Sequence, residues 1–405
     1  MLSNAATAHC LHGGASANAS TINQRTQSRS LASSLFFLSV YSYVKPTTSV
    51  YSAPVLEHER RTGHRNGGRQ LAPFQRRICC NQQGWFEFST ASGGRKVDGV
   101  SVGDFTILSH LQTLGCGDLK RKPREVHFSG CINESYAFRC TGGDYFVKIN
   151  RQFDAASMFA GEAEALNAML ETESIRVPKP LGVGNLPDGG GSYIILEYLN
   201  FQPFGMMQPS SQEQLGRALA LMHSAEPEFR GFGLAQITRL GVLPLSNEPS
   251  DSWSKFFLEN RLRDRLERAI AKLGSDGQEL ATCREELLSR ATKMLDAADV
   301  RPSVLHGDLW VGNSGLVRGG GVAVFDPAGY VGHSEFDLAF RGWEPVNDFP
   351  GFSDAFYDAY HAVLPQAPGF EERHRLYQLF HLLNHLLIYG VEYYPHVMAQ
   401  VRKLA

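Results

Sequence analysis

Four residues in the second half of the chain could share one piece of chemistry. His306, Asp308 and Asn313 stand in VLHGDLWVGNSG, and Asp326 follows in GVAVFDPAG. Phosphoryl transfer needs little covalent help from a protein. It needs a carboxylate beside the attacking hydroxyl, hard oxygens for a cation that bridges the phosphates, and a positive charge on the nucleotide. Asp308 suits the first duty. Asn313 and Asp326 suit the second, because amide and carboxylate oxygens match Mg²⁺, which also keeps waters and substrate phosphates in its shell. Lys148 in YFVKIN suits the third, with ATP as the donor. One aspartate alone reads equally well as a turn or cap residue. The ordered set, placed at strand ends, does not.

The elements around these residues supply the expected positions. REVHFSG, ESYAFRCT and DYFVKIN are apolar runs separated by turn residues, which predicts a three-stranded antiparallel meander. Phe146 and Lys148 share one face of its last strand. DAASMFAGEAEALNAMLETE has helical apolar spacing behind Asp154 as a cap. Glu162 in that helix is placed to pair with Lys148. Glu164 is the rival, and Glu162 is preferred because it follows Phe159 by about one turn. RVPKPLGVG and SYIILEYLN give two more strands, so Glu197, Tyr198 and Leu199 form a hinge whose main chain would meet the adenine edge. Tyr198 reads equally as core. Gly130, Cys131, Ile132 and Asn133 in SGCINESY form a turn whose N–H groups could lie over the phosphates. SVGDFTILSHLQTLG predicts a short helix opened by Asp104. After Phe201 the pattern is mostly helical, with a strand-turn-strand segment around 303–326.

This order predicts an α+β chain with a bilobal protein-kinase-like fold: an antiparallel β-rich N-lobe over 99–200 for nucleotide and a mainly helical catalytic C-lobe over 201–405. Asp308 and Asn313 have the separation found in the kinase catalytic loop. Gly307 stands where protein kinases carry arginine, only six residues separate Asp326 from His333, and no A-P-E element follows. Little chain is left to hold a peptide, so the acceptor is expected to be a small molecule or a small group displayed on a protein.

Residues 1–98 read as a targeting segment and linker. Met1 to Leu56 contains no Asp or Glu and is rich in Ser, Thr, Ala and Asn, the composition of an organelle transit peptide. A plastid is the expected destination, with mitochondrion or cytoplasm as alternatives, and most of the segment is expected to be disordered or removed. The net charge of -2 gives no electrostatic reason to expect nucleic acid or an acidic membrane as partner. No apolar run approaches the ~20 residues that span a bilayer. Seven scattered cysteines do not make a disulfide framework in a chain of this length.

The catalytic set resembles the aminoglycoside and choline kinase superfamily. HGDLWVGN and FDPAGYVGHSEFDLA, supported by GCINESY, FVKIN, MFAGEAEAL, LALMH and SWSKFFLENRL, look more narrowly like the fructosamine-3-kinase (ketosamine-3-kinase) family. The match runs from about residue 100 to the end and departs where an aromatic pair is reduced to Tyr330 followed by Val331. The resemblance implies phosphorylation of the sugar O3 of ribulosamines or fructosamines, on glycated proteins or as free ketosamines, with ATP and Mg²⁺. It also implies a possible redox switch at Cys131, the protein being a monomer or a homodimer linked through that thiol. Trp310 offers a flat face to a sugar or is core beneath the loop. His333 and Glu335 border the acceptor pocket or lie on the surface, and Asp337 caps a helix or ties down the loop. Two other readings stay open: a kinase of another small alcohol, such as choline or an aminoglycoside, and a redox-responsive nucleotide-binding pseudokinase.

Overall fold

The computed structural model describes residues 96–97, 100–126, 133–202, 205–342 and 351–404. The expected targeting segment, apart from Lys96 and Val97, lies outside the described residues, as do Gly130, Cys131 and Ile132. The transit-peptide and Cys131 expectations fall there.

A short ladder of β1 (Lys96–Val97) and β2 (Val100–Ser101) leads into α1 (Val102–Thr113), so Asp104 sits inside the first turn and does not open the helix. The expected meander is present as β3 (Arg124–Glu125), β4 (Glu134–Cys140) and β5 (Gly143–Asn150). After α2 (Ala155–Glu171), strands β6 (Pro180–Asn185) and β7 (Ser192–Glu197) complete one antiparallel sheet in the order β3-β4-β5-β7-β6. β5 is therefore central, with Lys148 opposite Ser135 on β4 and Ile194 on β7. Phe159, Leu166 and Met169 recur down one stripe of α2 and are fully buried, which lays the helix against Ile194 and Leu196 of the sheet. Asp154 occupies the N-cap position of α2 but makes no side-chain cap. Its carboxylate instead pairs with Arg239, a charged partner that outcompetes a main-chain N–H.

Beyond Glu197 come α3 (Pro209–Ser224), the hairpin β8 (Thr238–Leu240) and β9 (Leu243–Leu245), α4 (Trp253–Phe257), a π-turn at Leu258–Arg263, α5 (Asp264–Leu273) and α6 (Gln278–Asp296). Strands β10 (Pro302–Leu305), β11 (Ser314–Leu316), β12 (Val322–Val324) and β13 (Tyr330–His333) follow, then α7 (Asp354–His361), α8 (Phe370–Ile388) and α9 (Tyr394–Leu404). This part is mainly helical, as expected. The single strand-turn-strand segment resolves into two ladders, β10 with β13 and β11 with β12. β13 lacks strand alternation because all four of its residues are buried. The helical core gathers Phe257, Leu262, Leu266, Phe336, Tyr377, Phe380 and Leu383. Each such side chain contributes about 1.5–3 kcal/mol on burial. Among the described residues no helix is long and apolar enough to cross a membrane.

Candidate active site

The turn after β10 presents Asp308, and its shape depends on a glycine. Gly307 has φ +79°, and a Cβ there would fall 2.4 Å from the carbonyl oxygen of Ala328. Both facts require glycine, so the residue that replaces the protein-kinase arginine is fixed by local packing. His306 is fully buried. Its Nδ1 accepts the N–H of Asp308 at 3.3 Å and its Nε2 donates to the carbonyl of Phe325 at 2.9 Å. Burial pushes its pKa down, which agrees with this neutral tautomer. Asn313 Nδ2 donates to the main-chain oxygen of Asp308 at 2.9 Å and to Oδ2 at 3.2 Å. Phe325 N–H donates to the carbonyl of Asn313 at 3.0 Å, so the turn and the strand end before Asp326 are one stitched unit.

Across from this unit stands Lys148. Its Nζ donates to Glu162 Oε1 at 2.6 Å and also pairs with Asp326. Burial works against the ammonium, but Asp326 and Glu162 outweigh it and hold the Lys148 pKa above its ordinary value. Asp326 adopts φ +57°, an uncommon conformation for a non-glycine residue at a strand end. Asp308 is held in the opposite sense. Burial, with the Asp326 anion adding to it and Asn313 opposing, pushes its pKa up to about 7.

The oxygens suit a hard cation. The Asn313 amide nitrogen is engaged by Asp308, which leaves the amide oxygen for a ligand. Among the described residues no group of three His, Cys, Asp or Glu gathers as a metal site. A cation here would take few protein ligands and complete its shell from nucleotide phosphates and water, which is the habit of Mg²⁺. The residues therefore fit that ion.

The remaining expected residues divide. Asn133 Oδ1 accepts from Asn150 Nδ2 at 2.9 Å, which ties the end of the expected phosphate turn to β5. Glu162 reaches Lys148, whereas Glu164 turns the other way and accepts two main-chain N–H groups, from Ala235 and Gln236. Trp310 is half-buried, with its ring against Gly312, where a Cβ would come within 2.1 Å of it. At the expected hinge, Glu197 N–H donates to Lys179 O at 2.9 Å and its carboxylate pairs with Arg176. Tyr198 N–H donates to Asp144 O at 3.3 Å, and its ring lies 4.0 Å beneath the Arg139 guanidinium, so Tyr198 is neither core nor free. The N–H groups of Glu197 and Tyr198 are thus both engaged within the chain.

Of the two expectations for His333 and Glu335, the surface reading is corrected: both are buried. β10 and β13 run antiparallel with Pro302 opposite His333 and Leu305 opposite Tyr330. His333 thus stands at the far end of the ladder, about 10 Å along it from the catalytic turn. Its Nδ1 meets Tyr377 OH at 2.7 Å, and burial drops its pKa to about 3. Glu335 is gripped in bidentate fashion by Arg373 at 2.7 Å. Both line a cavity of about 870 Å³ with His223, Ser303 and Tyr360. Arg373 and Tyr360 lie far downstream on helices, and no motif in the sequence singles them out.

A family model described as fructosamine kinase matches residues 107–405. The chloroplastic protein-ribulosamine 3-kinase of Arabidopsis thaliana is 37% identical over 270 residues, covering 67% of this chain and 78% of that protein. The ketosamine-3-kinase of Mus musculus is 34% identical over 303 residues, covering 69% and 93%. Among solved structures, a candidate fructosamine-3-kinase from Haemophilus somnus superposes with a TM-score of 0.61 at 28% identity, over 74% of this chain and 96% of that one.

Proposed function

The chain belongs to the fructosamine kinase family, and on that premise we propose that it transfers the terminal phosphoryl group of ATP to the sugar O3 of ketosamines, such as ribulosamine or fructosamine carried on lysine side chains. One observation carries the reading: Asp308 is fixed in a turn stitched to the strand end of Asp326, and Asp326 meets the buried Lys148–Glu162 pair. In this reading Asp308 accepts the O3 proton as the bond between that oxygen and the γ-phosphorus forms and the bond to ADP breaks. Such a base contributes about 10²–10⁴-fold. Lys148 holds the nucleotide phosphates and Glu162 holds Lys148. Asn313 and Asp326 would bind Mg²⁺, which neutralises phosphate charge. Asn133 closes the turn over the phosphates, Leu199 receives the adenine edge, and the exposed side of Trp310 lies against the sugar.

The division follows: a nucleotide-binding part over 99–200 and a catalytic part over 201–405. The acid-free composition of Met1 to Leu56 supports a plastid address, and reactive sugar phosphates formed there would supply glycated protein. Phosphorylation would then commit the adduct to decomposition and return the free amine.

Transfer from Mg-ATP to a ribulose-lysine adduct, measured beside choline and an aminoglycoside, tests the acceptor. Turnover of the adduct alone supports the reading, and turnover of choline or the aminoglycoside in its place overturns it.

A further inference from the structure

Glu162 must be delivered to Lys148, and helix α2 that carries it touches the β8–β9 segment at three points. At its start, Asp154 pairs with Arg239. In its middle, Gly161 lies so close to the segment that a Cβ would sit 2.1 Å from the carbonyl oxygen of Ile237. One residue beyond Ala163, Glu164 accepts the main-chain N–H of Ala235 at 3.2 Å and of Gln236 at 2.8 Å.

The segment is itself tied to the strand that follows Asp326. Gly233 and Val331 exchange main-chain hydrogen bonds at 2.9 and 2.8 Å. Thr238 Oγ1 donates to Ala328 O at 3.3 Å, and Asn247 Nδ2 donates to Thr238 Oγ1 at 3.0 Å and to Gln236 O at 2.8 Å. The guanidinium of Arg261, fully buried, holds Asn247 Oδ1 at 2.6 Å. The contacts therefore close a ring: Lys148 to Glu162, along α2 to Glu164, through 233–247 to Ala328 and Val331, and back along the chain to Asp326, which meets Lys148 again.

We infer that Glu164 is a positioning residue for phosphoryl transfer: with Gly161 it fastens α2 to the 233–247 segment, and that fastening is what sets Glu162 against Lys148. The inference rests on the proposed nucleotide role of Lys148. An i, i+2 pair of glutamates faces different sides of a helix, so Glu162 and Glu164 can serve the two ends of the same device without competing. The contacts that set the helix position all lie within the chain itself.

The test is nucleotide affinity of the full chain, read with a fluorescent ATP analogue, beside hydrogen exchange of the α2 amides. Glu164→Ala should weaken nucleotide binding by roughly tenfold and speed exchange in α2, because coupling residues of this kind shift an equilibrium by about that much. Gly161→Ala, a different perturbation of the same contact, should do the same, and Asn167→Ala, exposed on the same helix, should do neither. If Glu164→Ala and Gly161→Ala both bind nucleotide as the unaltered protein does, the inference is wrong, whatever happens to their melting temperatures. Lys148→Ala separates the premise from the inference: if it too binds nucleotide normally, the assigned role of Lys148 fails first.

Discussion

Asp337 Oδ2 accepts the main-chain N–H of His306 at 2.7 Å, and its other oxygen accepts that of Gly307 at 2.8 Å. The turn that presents Asp308 is thus held from behind by a buried carboxylate. His223 Nε2 lies 3.2 Å from the same carboxylate, and its Nδ1 meets Tyr360 OH at 2.8 Å. Of the two uses expected for Asp337, the geometry matches the tie on the catalytic loop.

Removing that anion should be costly. Burial works against the Asp337 carboxylate, but His223, His306 and the Gly307 N–H outweigh it and hold its pKa below the usual range. Asp337→Ala leaves two buried N–H groups and the Nε2 of His223 without their carboxylate, which should lower unfolding free energy by about 3–5 kcal/mol in urea titration. A depressed carboxylate pKa stabilises above its unfolded value and is lost as pH falls through its folded one. The stability gap between the variant and the unaltered protein should therefore narrow as pH falls below the unfolded value near 3.9 and through the lower folded one. A constant gap from pH 7 to pH 3 would contradict this.

Asp308 should behave in the opposite way. Its pKa is raised to about 7 in the nucleotide-free fold, so the native state binds its proton more readily than the unfolded chain does. Below about pH 4 both states are protonated and the group contributes nothing. As pH rises through about 7 the full penalty appears, since the native carboxylate must ionise beside Asp326. The side chain keeps some solvent contact, which limits the effect to about 1–2 kcal/mol. Asp308→Asn should melt higher than the unaltered protein at pH 8, with the difference vanishing near pH 4. A variant that melts lower at pH 8 would show that the charge is not strained.

The Arg373–Glu335 pair should matter to the fold and not to the chemistry. Both side chains are nearly fully buried, so Glu335→Ala strands a guanidinium and should cost about 3–5 kcal/mol of stability. At a temperature where the variant is folded, its KM for ATP and for ketosamine should stay within about twofold, well under the tenfold that 1.4 kcal/mol represents. A selective rise in the ketosamine KM would return Glu335 to the acceptor pocket.

The sequence was most legible where chemistry forces order. The Lys148 strand, the helix of Glu162 and the spacing of Asp308, Asn313 and Asp326 could be read because strand and helix periods place them. His333 and Glu335 could not be placed: YVGH is buried on both faces, so its alternation gives no direction, and its pairing with β10 across the catalytic turn is a long-range fact. The segment at 233–247 was missed for a related reason. Its strands are three residues each, too short for a period, and one contains Pro244. Asp154 holds the N-cap position as read, but that its side chain serves Arg239 and not a main-chain N–H was not legible, because Arg239 lies 85 residues away.

The most direct measurement is single-turnover transfer of labelled γ-phosphate from Mg-ATP to a ribulose-lysine adduct by the unaltered protein and by Asp308→Asn, with the product's phosphate located by NMR. The account predicts phosphate on O3, a rate lowered by about 10²–10⁴-fold in the variant, and similar ATP affinity for both. Phosphate on another oxygen, or an Asp308→Asn protein that transfers at the full rate, would contradict it.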